Sequence, residues 1–499
     1  MGVLAPYPPL PPYPAPLSNG LVYNVRDYGA FGDKVHDDTA AIQTAINTCA
    51  ATGGGIVWLG PGTYLVTANT TPGQSAGIGA ALYGLSGVRI MGAGRGLTTI
   101  KVRTGSATGR SDAIAYGFDD KGNTTAIDNV EVSDLSIDLT AITAVFGSGI
   151  RCPNPAAVGS DADFTNLEML GCKDWGLSWG GFTTVFQRLR ARHVVVNGTV
   201  YGGIWIGLTD YPEVEDLYVE NCAGNPGTGE GCALEVESGN YGRFEDIRGD
   251  SLPIQMVLIS GNLQASFVGI SGTCASGAHG IQFAGVNNVE IADVNLSSPG
   301  GGGYGLNFSS GTPSGIKTRG LNLVGFTNFV NTQGASSVTD FQLSDFTFNG
   351  AGYGLVLGGA GSTATELNIS SGTCIGNGHW LVAQNASGVI HGITDSGSGA
   401  PVLTTCPNLT IRDCPGYNPV GSSVPGTAFT LPASGTAWTN NTGVDGTLFV
   451  TGAGVVTDVV VRGVTVASSL AVGQSFFVPA GGTITFTYTA SPTLVFVGN

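Results

Sequence analysis

The sequence predicts an all-β chain wound into a right-handed parallel β-helix, with an N-terminal capping helix and a C-terminal β-sandwich. Three observations predict it. Gly supplies 81 of 499 residues while charged residues make up only 11%. That balance suits short strands and tight turns, because Gly, Ser, Thr and Asn disfavour helix interiors. Hydrophobic residues still reach 42%, too many for a disordered chain. Finally, a pair of apolar residues spaced three apart recurs from residue 132 to residue 390 in ten steps of about 26 residues, the mark of a stacked repeat.

Residues 1–19 carry Pro6, Pro8, Pro9, Pro11, Pro12, Pro14 and Pro16, with Tyr7 and Tyr13 between them. Such a segment prefers polyproline II. It reads as an extended arm or as a peptide that docks on a partner. Residues 20–68 read as a cap. Tyr23-Asn24-Val25 opens a strand, and Asp37 and Asp38 stand where a helix N-cap belongs. Ala41, Ile42, Ala45, Ile46 and Cys49 form a helical stripe that Gly53-Gly54-Gly55 ends. Two strands follow at Ile56–Leu59 and Thr63–Val66. An amphipathic helix here covers the open end of a solenoid.

Residues 69–415 read as the solenoid. The first apolar position falls at Val132, Phe164, Phe186, Val214, Phe244, Phe267, Ile291, Thr318, Leu343, Glu366 and Ile390. The second falls at Leu135, Leu167, Leu189, Leu217, Ile247, Ile270, Val294, Leu321, Phe346, Ile369 and Ile393. The residue before each second position is Asp134, Asn166, Arg188, Asp216, Asp246, Gly269, Asp293, Gly320, Asp345, Asn368 or Gly392. Asp, Asn and Gly tolerate a left-handed backbone, so this column reads as a corner between strands. A second strand in most coils begins Gly176-Leu177, Gly203-Ile204, Gly280-Ile281, Gly305-Leu306 or Gly354-Leu355. Its alternation leaves Ser178, Trp205, Glu235, Gln282, Asn307 and Val356 facing outward in one column. Gly416–Gly421 opens a linker at 416–423, and the short strands of 424–499 read as a small sandwich.

The net charge is −16. A nucleic-acid backbone needs a basic surface, so no nucleic-acid partner is expected. No run of 18 apolar residues occurs, so no membrane span is expected. Nor does a basic segment with an apolar core open the chain at Met1, so no secretory signal is read. The nine cysteines include no CxxC or Cys/His cluster. Cys172, Cys222, Cys274 and Cys374 each follow an expected strand and read as small buried apolar residues, which points to a reducing compartment.

The run Tyr23-Asn24-Val25-Arg26-Asp27-Tyr28-Gly29-Ala30, then Asp37-Asp38-Thr39-Ala40-Ala41-Ile42, then Gly54-Gly55-Ile56-Val57-Trp58-Leu59-Gly60-Pro61-Gly62-Thr63-Tyr64 resembles the opening of the pectate-lyase-like superfamily. That group includes polygalacturonases, polysaccharide lyases and phage tail spikes, so the resemblance implies the fold and leaves the reaction open. Asn418–Gly421, Leu431–Gly435 and Val478–Thr485 resemble C-terminal modules of actinobacteriophage tail proteins. From tail spikes the resemblance implies a homotrimer in the virion tail that binds cell-surface polysaccharide, with the proline arm facing other tail proteins. The polygalacturonase Gly-His-Gly element has only Ala278-His279-Gly280 and Ile390-His391-Gly392 as near matches. No catalytic residue is therefore carried over.

Sugar recognition needs aromatic faces with polar groups, and glycosidic cleavage usually needs two carboxyls. The densest region supplies Trp175, Trp179 and Trp205 as expected substrate-binding residues, joined along the column by Gln282 and Asn307. Glu235 and Glu237, two apart on one expected strand, stand about 6.6 Å apart at Cα, a spacing that permits an inverting pair. Asp210 and Asp250 complete the expected catalytic set. A solvated acidic edge is the bland alternative. Arg188-Leu189-Arg190-Ala191-Arg192-His193 reads as cross-coil pairing with Glu168, Asp216 and Glu220, or else as a site for anionic sugars or the base of a β-eliminating lyase. No cofactor or metal is expected, although Asp216 and Asp246 share a column in which calcium is an alternative. The expected function is a tail spike or tail fibre that binds, and in one version cleaves, a host polysaccharide. The alternatives are a free (secreted) hydrolase or lyase, and a non-catalytic adhesive tail protein.

Overall fold

The computed structural model describes residues 21–70, 79–104, 109–152, 159–180, 185–225, 231–261, 263–399, 401–406, 408–414, 424–440, 445–479 and 481–498. The proline-rich arm and the expected linker lie outside these residues.

The helix Thr39–Ala51 buries Ile42, Ala45, Ile46 and Cys49 completely, as its apolar stripe requires. Of its two expected caps, Asp37 accepts from the Thr39 N–H at 3.0 Å. Asp38 turns back instead, accepting from the Phe31 N–H at 2.6 Å and the Gly32 N–H at 3.1 Å, and so locks the preceding loop. The strand Gly55–Leu59 pairs in parallel with Val88–Gly92, and Gly62–Val66 with Thr98–Val102. Both partners pair in turn with the long strand Ile127–Asp138. The helix therefore packs directly on the first coils of the ladder.

From Ile127 onward most coils supply one long and one short strand. Gly159–Leu170, Phe186–Asn197, Thr209–Glu220 and Gly239–Leu252 belong to the long-strand sheet. Trp175–Trp179, Gly202–Ile206, Cys232–Val236 and Gln255–Ser260 belong to the short-strand sheet. Successive coils pair in parallel throughout both. The inward spine runs Leu135, Leu167, Val194, Leu217, Ile247, Ile270, Val294, Leu321, Phe346, Gly372 and Ile393, all in register. Two expected positions shift. Val194 replaces Leu189, and Gly372 replaces Ile369. At Gly372 a Cβ would lie 2.0 Å from the Phe346 ring, so the neighbouring ring fills the space an apolar side chain would take.

The residue before each spine position is left-handed, including Asp134 (φ 58°), Asp216 (53°), Asp293 (57°) and Asp345 (54°). His193 and Ser371 occupy corners expected at Arg188 and Asn368. Most long strands in fact bend twice, since Asp161, Arg188, Tyr211, Tyr241 and Asp340 are left-handed five residues earlier in their coils. Gly serves as a corner at 269 and 320, where a Cβ would meet the Asp246 and Asp293 carboxylates of the preceding coil at 2.7 and 2.9 Å. Residues 424–498 form two four-stranded antiparallel sheets around Leu448, Phe476, Phe486 and Phe496, a core separate from that of the solenoid.

Candidate functional site

The short-strand sheet carries an outward column in strict register: Arg151, Ser178, Trp205, Glu235, Leu258, Gln282, Asn307, Asn331 and Val356. Parallel strands about 4.8 Å apart stack these side chains along the solenoid axis. Asn331 donates to the Asn307 carbonyl at 3.2 Å, and Asn307 donates to Gln282 at 3.4 Å, making an amide ladder. Arg151, Leu258 and Asn331 were not expected in the column. The signal for Leu258 and Asn331 was available, because each sits at the same offset in its own strand.

Beside the column, Trp175, Trp205 and Cys232 form an apolar cluster with Tyr201 and Leu258. Trp175 stacks on Tyr201 at 6.5 Å, and the Tyr201 hydroxyl accepts from Asn225 at 3.0 Å. Trp175 and Trp205 are 4% and 7% exposed, so they form a floor more than a surface. Trp179 is elsewhere. It lies fully inside the core, edge-on to Phe164 at 4.8 Å and Phe186 at 5.5 Å, and cannot meet a ligand. The reason is parity: in this strand Leu177 and Trp179 both face inward while Ser178 faces out.

The four expected catalytic carboxyls are not gathered. Glu235 is largely covered, between Trp205 and Leu258 on the adjacent strands. Its strand ends at Val236, so Glu237 belongs to the turn that follows, and its N–H bonds the Ile206 carbonyl at 2.9 Å. Asp210 stands near the start of its long strand, accepting from the Asn240 N–H and side chain, both at 2.9 Å, and from Gln187 at 3.2 Å. Asp250 lies ten residues beyond Asn240, near the other end of the neighbouring long strand, where the Thr273 and Ser251 hydroxyls hold it.

Sequence reading missed a buried ionic group at the N-terminal end of this sheet. The Arg110 Nε donates to both Asp112 oxygens at 3.0 and 2.9 Å, and its Nη2 reaches Asp174. The fully buried Asp112 carboxylate also accepts from the Ser148 N–H at 2.8 Å and lies 3.5 Å from the Arg151 Nη1. Burial alone would lower the Arg110 pKa, but Asp112 and Asp174 outweigh it and raise it. Arg151, buried and facing Arg110, is pushed down. These residues come from three coils, so no local motif announces them.

The basic run pairs across coils, with mostly other partners than expected. Arg188 holds Asp161 at 2.5 and 2.7 Å, Arg190 holds Glu213 at 2.9 Å, and Arg192 reaches Asp163 at 3.2 Å. Glu168 instead accepts from Ser136, and Glu220 from Asn197 and Tyr218. Asp216 accepts from His193 at 3.0 Å and from Arg248. The His193 hydrogen bond, with Arg248, outweighs partial burial and holds its carboxyl below the usual range. Those bonds occupy both Asp216 carboxylate oxygens. Among the described residues no group of three or more His, Cys, Asp or Glu side chains is placed to hold a metal ion, and no helix is long and apolar enough to cross a membrane.

Residues 22–229 match the family model for rhamnogalacturonase A/epimerase, pectate lyase-like. The chain is 39% identical over 116 residues to the mannuronan C5-epimerase AlgE1 of Azotobacter vinelandii, covering 23% of this chain and 8% of that protein. It is 40% identical over 118 residues to alginate lyase 7 of the same organism, covering 24% of this chain and 13% of that protein. The chain thus spans only a small part of the curated relatives it matches. Among solved structures, the tailspike protein of E. coli bacteriophage HK620 aligns at 12% identity and a TM-score of 0.49, over 95% of this chain and 93% of that one. The ladder and the corner column make the chain a right-handed parallel β-helix, and residues 22–229 of it carry the match to a pectate-lyase-like domain.

Proposed function

We propose that this protein binds an extended polysaccharide lengthwise along the outward column of its short-strand sheet. The observation that carries the reading is the unbroken column itself. It offers amide, aliphatic, aromatic and charged side chains at one interval along one axis, as a repeating polymer requires. Leu258 and Gln282 are its half-buried members free of the Asp112 ionic group, over a floor of Trp175 and Trp205. Alginate-acting relatives over about a quarter of the chain support a polysaccharide ligand. Binding fits this face better than two-carboxyl hydrolysis, because Glu235 is the only carboxylate in the column and Asp210 and Asp250 serve other contacts. A homotrimer in a virion tail, attached through residues 1–19, completes the reading. It rests on the resemblance of the opening segment and C-terminal module to tail proteins.

The test is affinity for a panel of cell-surface polysaccharides, comparing wild type with Leu258→Arg/Gln282→Ala, two changes at these half-buried positions. The reading expects at least about a tenfold loss, equivalent to about 1.4 kcal/mol, with thermal stability unchanged. Equal binding by the variant, or no binding by the wild type, would overturn it. A trimer in light scattering supports the tail role, and a monomer counts against it. A second reading, a free polysaccharide-modifying enzyme, draws on the epimerase and lyase relatives. It predicts products absorbing in the near ultraviolet, or altered sugar stereochemistry.

A further inference from the structure

The middle segment of each long strand, ahead of its left-handed spine corner, presents a second outward face. In the early coils this face is charged and internally paired. Arg89 faces Glu131 at 3.6 Å, Arg190 bridges Asp163 and Glu213, and Arg243 pairs with Glu245 at 2.8 Å. From Ser266 onward its character changes. The face becomes a shallow groove of about 340 Å³ lined by Glu290, Lys317, Arg319, Gln342, Ser344 and Asn368, among others.

Lys317 and Arg319 stand two residues apart on the strand Ser314–Val324, so both point outward, about 6.6 Å apart at Cα. Neither has a carboxylate within 4.0 Å among the described residues, in contrast to the paired arginines of the earlier coils. The floor beneath is apolar, formed by the rows around Phe267, Ile291 and Leu343. On the next strands Gln342 lies in register with Lys317 and Ser344 with Arg319, and Asn368 continues the row. The groove therefore combines two uncommitted cations with amide and hydroxyl groups at strand spacing.

We propose that this groove is a second glycan site, separate from the short-strand column, for a sugar chain with one anionic group seated between Lys317 and Arg319. The inference rests on the proposed polysaccharide-binding function. Cations without partners attract an anion, Arg can grip a carboxylate or phosphate through two N–H groups, and the amides serve sugar hydroxyls. Glu290, in register with Lys317 on the preceding strand, lines the groove without pairing with either cation and repels further negative charge. The site thus suits a glycan whose acidic groups are widely spaced over a dense polyanion. The acidic group is a carboxylate or a phosphate ester.

The experiment measures binding of the full chain to four immobilised glycans at low and high salt: a neutral glucan, a homopolyuronate, a glycan with one uronate per repeat and a glycan with one phosphodiester per repeat. Wild type is compared with Lys317→Ala/Arg319→Ala and with Leu258→Arg/Gln282→Ala. The expected result is that the Lys317/Arg319 variant binds one of the two sparsely charged glycans at least about tenfold more weakly. Its neutral-glucan binding stays unchanged, and the wild-type advantage vanishes near 1 M salt, where screening acts within about 3 Å. The glycan that responds identifies the anion. If the Lys317/Arg319 variant binds every glycan as wild type does while the Leu258/Gln282 variant loses binding, this inference fails and the proposed function stands. A wild-type preference for the homopolyuronate also overturns it. If wild type binds none of the four, both fail.

Discussion

Replacing Asp112 with Ala tests how the N-terminal end of the short-strand sheet is held. The carboxylate is fully buried, accepts both short bonds from the Arg110 Nε and caps the Ser148 N–H. Its loss leaves Arg110 and Arg151, 10% and 22% exposed, with Asp174 as the one remaining counter-charge of the group among the described residues. Breaking a buried pair by removing one partner costs about 3–5 kcal/mol, because the remaining charge stays desolvated. The orphaned Ser148 N–H adds about 1–3 kcal/mol. Asp112→Asn retains an acceptor for that N–H and so costs less than Asp112→Ala. Adding Arg151→Ala to Asp112→Ala removes one stranded cation, so the double variant is less destabilised than the two single losses combined. The assay is denaturant unfolding followed by fluorescence, with unfolding rates measured at several concentrations because large β-solenoids can unfold slowly. A loss below about 1 kcal/mol for Asp112→Ala, or simple additivity with Arg151→Ala, would refute the account of this group.

Other expectations follow from the same geometry. Gly372→Val should lower the thermal midpoint sharply, since even a Cβ would lie 2.0 Å from the Phe346 ring, and Phe346→Ala in the same chain should recover part of the loss. Burial raises the Asp161 carboxyl, but its bonds from Arg188 and Ser160 outweigh that and hold it below its ordinary value of 3.8. Its folded-state pKa being lowered, the contribution is present above that value and is lost as pH falls through the folded pKa. Thermal midpoints measured from neutral pH downward should therefore fall in acid by more in wild type than in Asp161→Asn. Burial pushes the Cys172, Cys274 and Cys374 thiols up to about 12, so thiol reagents should label the half-buried Cys406 before any of these, and label them only on unfolding.

The opening segment, the helix stripe and most of the inward spine were legible because each carries a local period. The misreadings have two causes. Most coils have two left-handed corners five residues apart, Arg188 and His193 in one and Glu366 and Ser371 in another. Inward residues flank both corners, so the spacing at Phe186/Leu189 matched the wrong one, while Glu366/Ile369 ran three residues early, Ile369 holding the first position of its pair. Where the spine residue is Gly372, no apolar side chain marks the right one. The outward column was legible from strand alternation, and the same alternation puts Trp179 inside, against its place among the expected sugar-binding residues, yet it could not say that Trp205 and Glu235 would be covered. The Arg110–Asp112–Arg151–Asp174 group was invisible because its members meet only after three coils stack.

A structure of the full chain soaked with a bound polysaccharide tests the central reading most directly. The account predicts sugar density running parallel to the solenoid axis over Leu258, Gln282 and their column neighbours. Density confined to residues 424–498, or sugar crossing the coils at right angles, would contradict it.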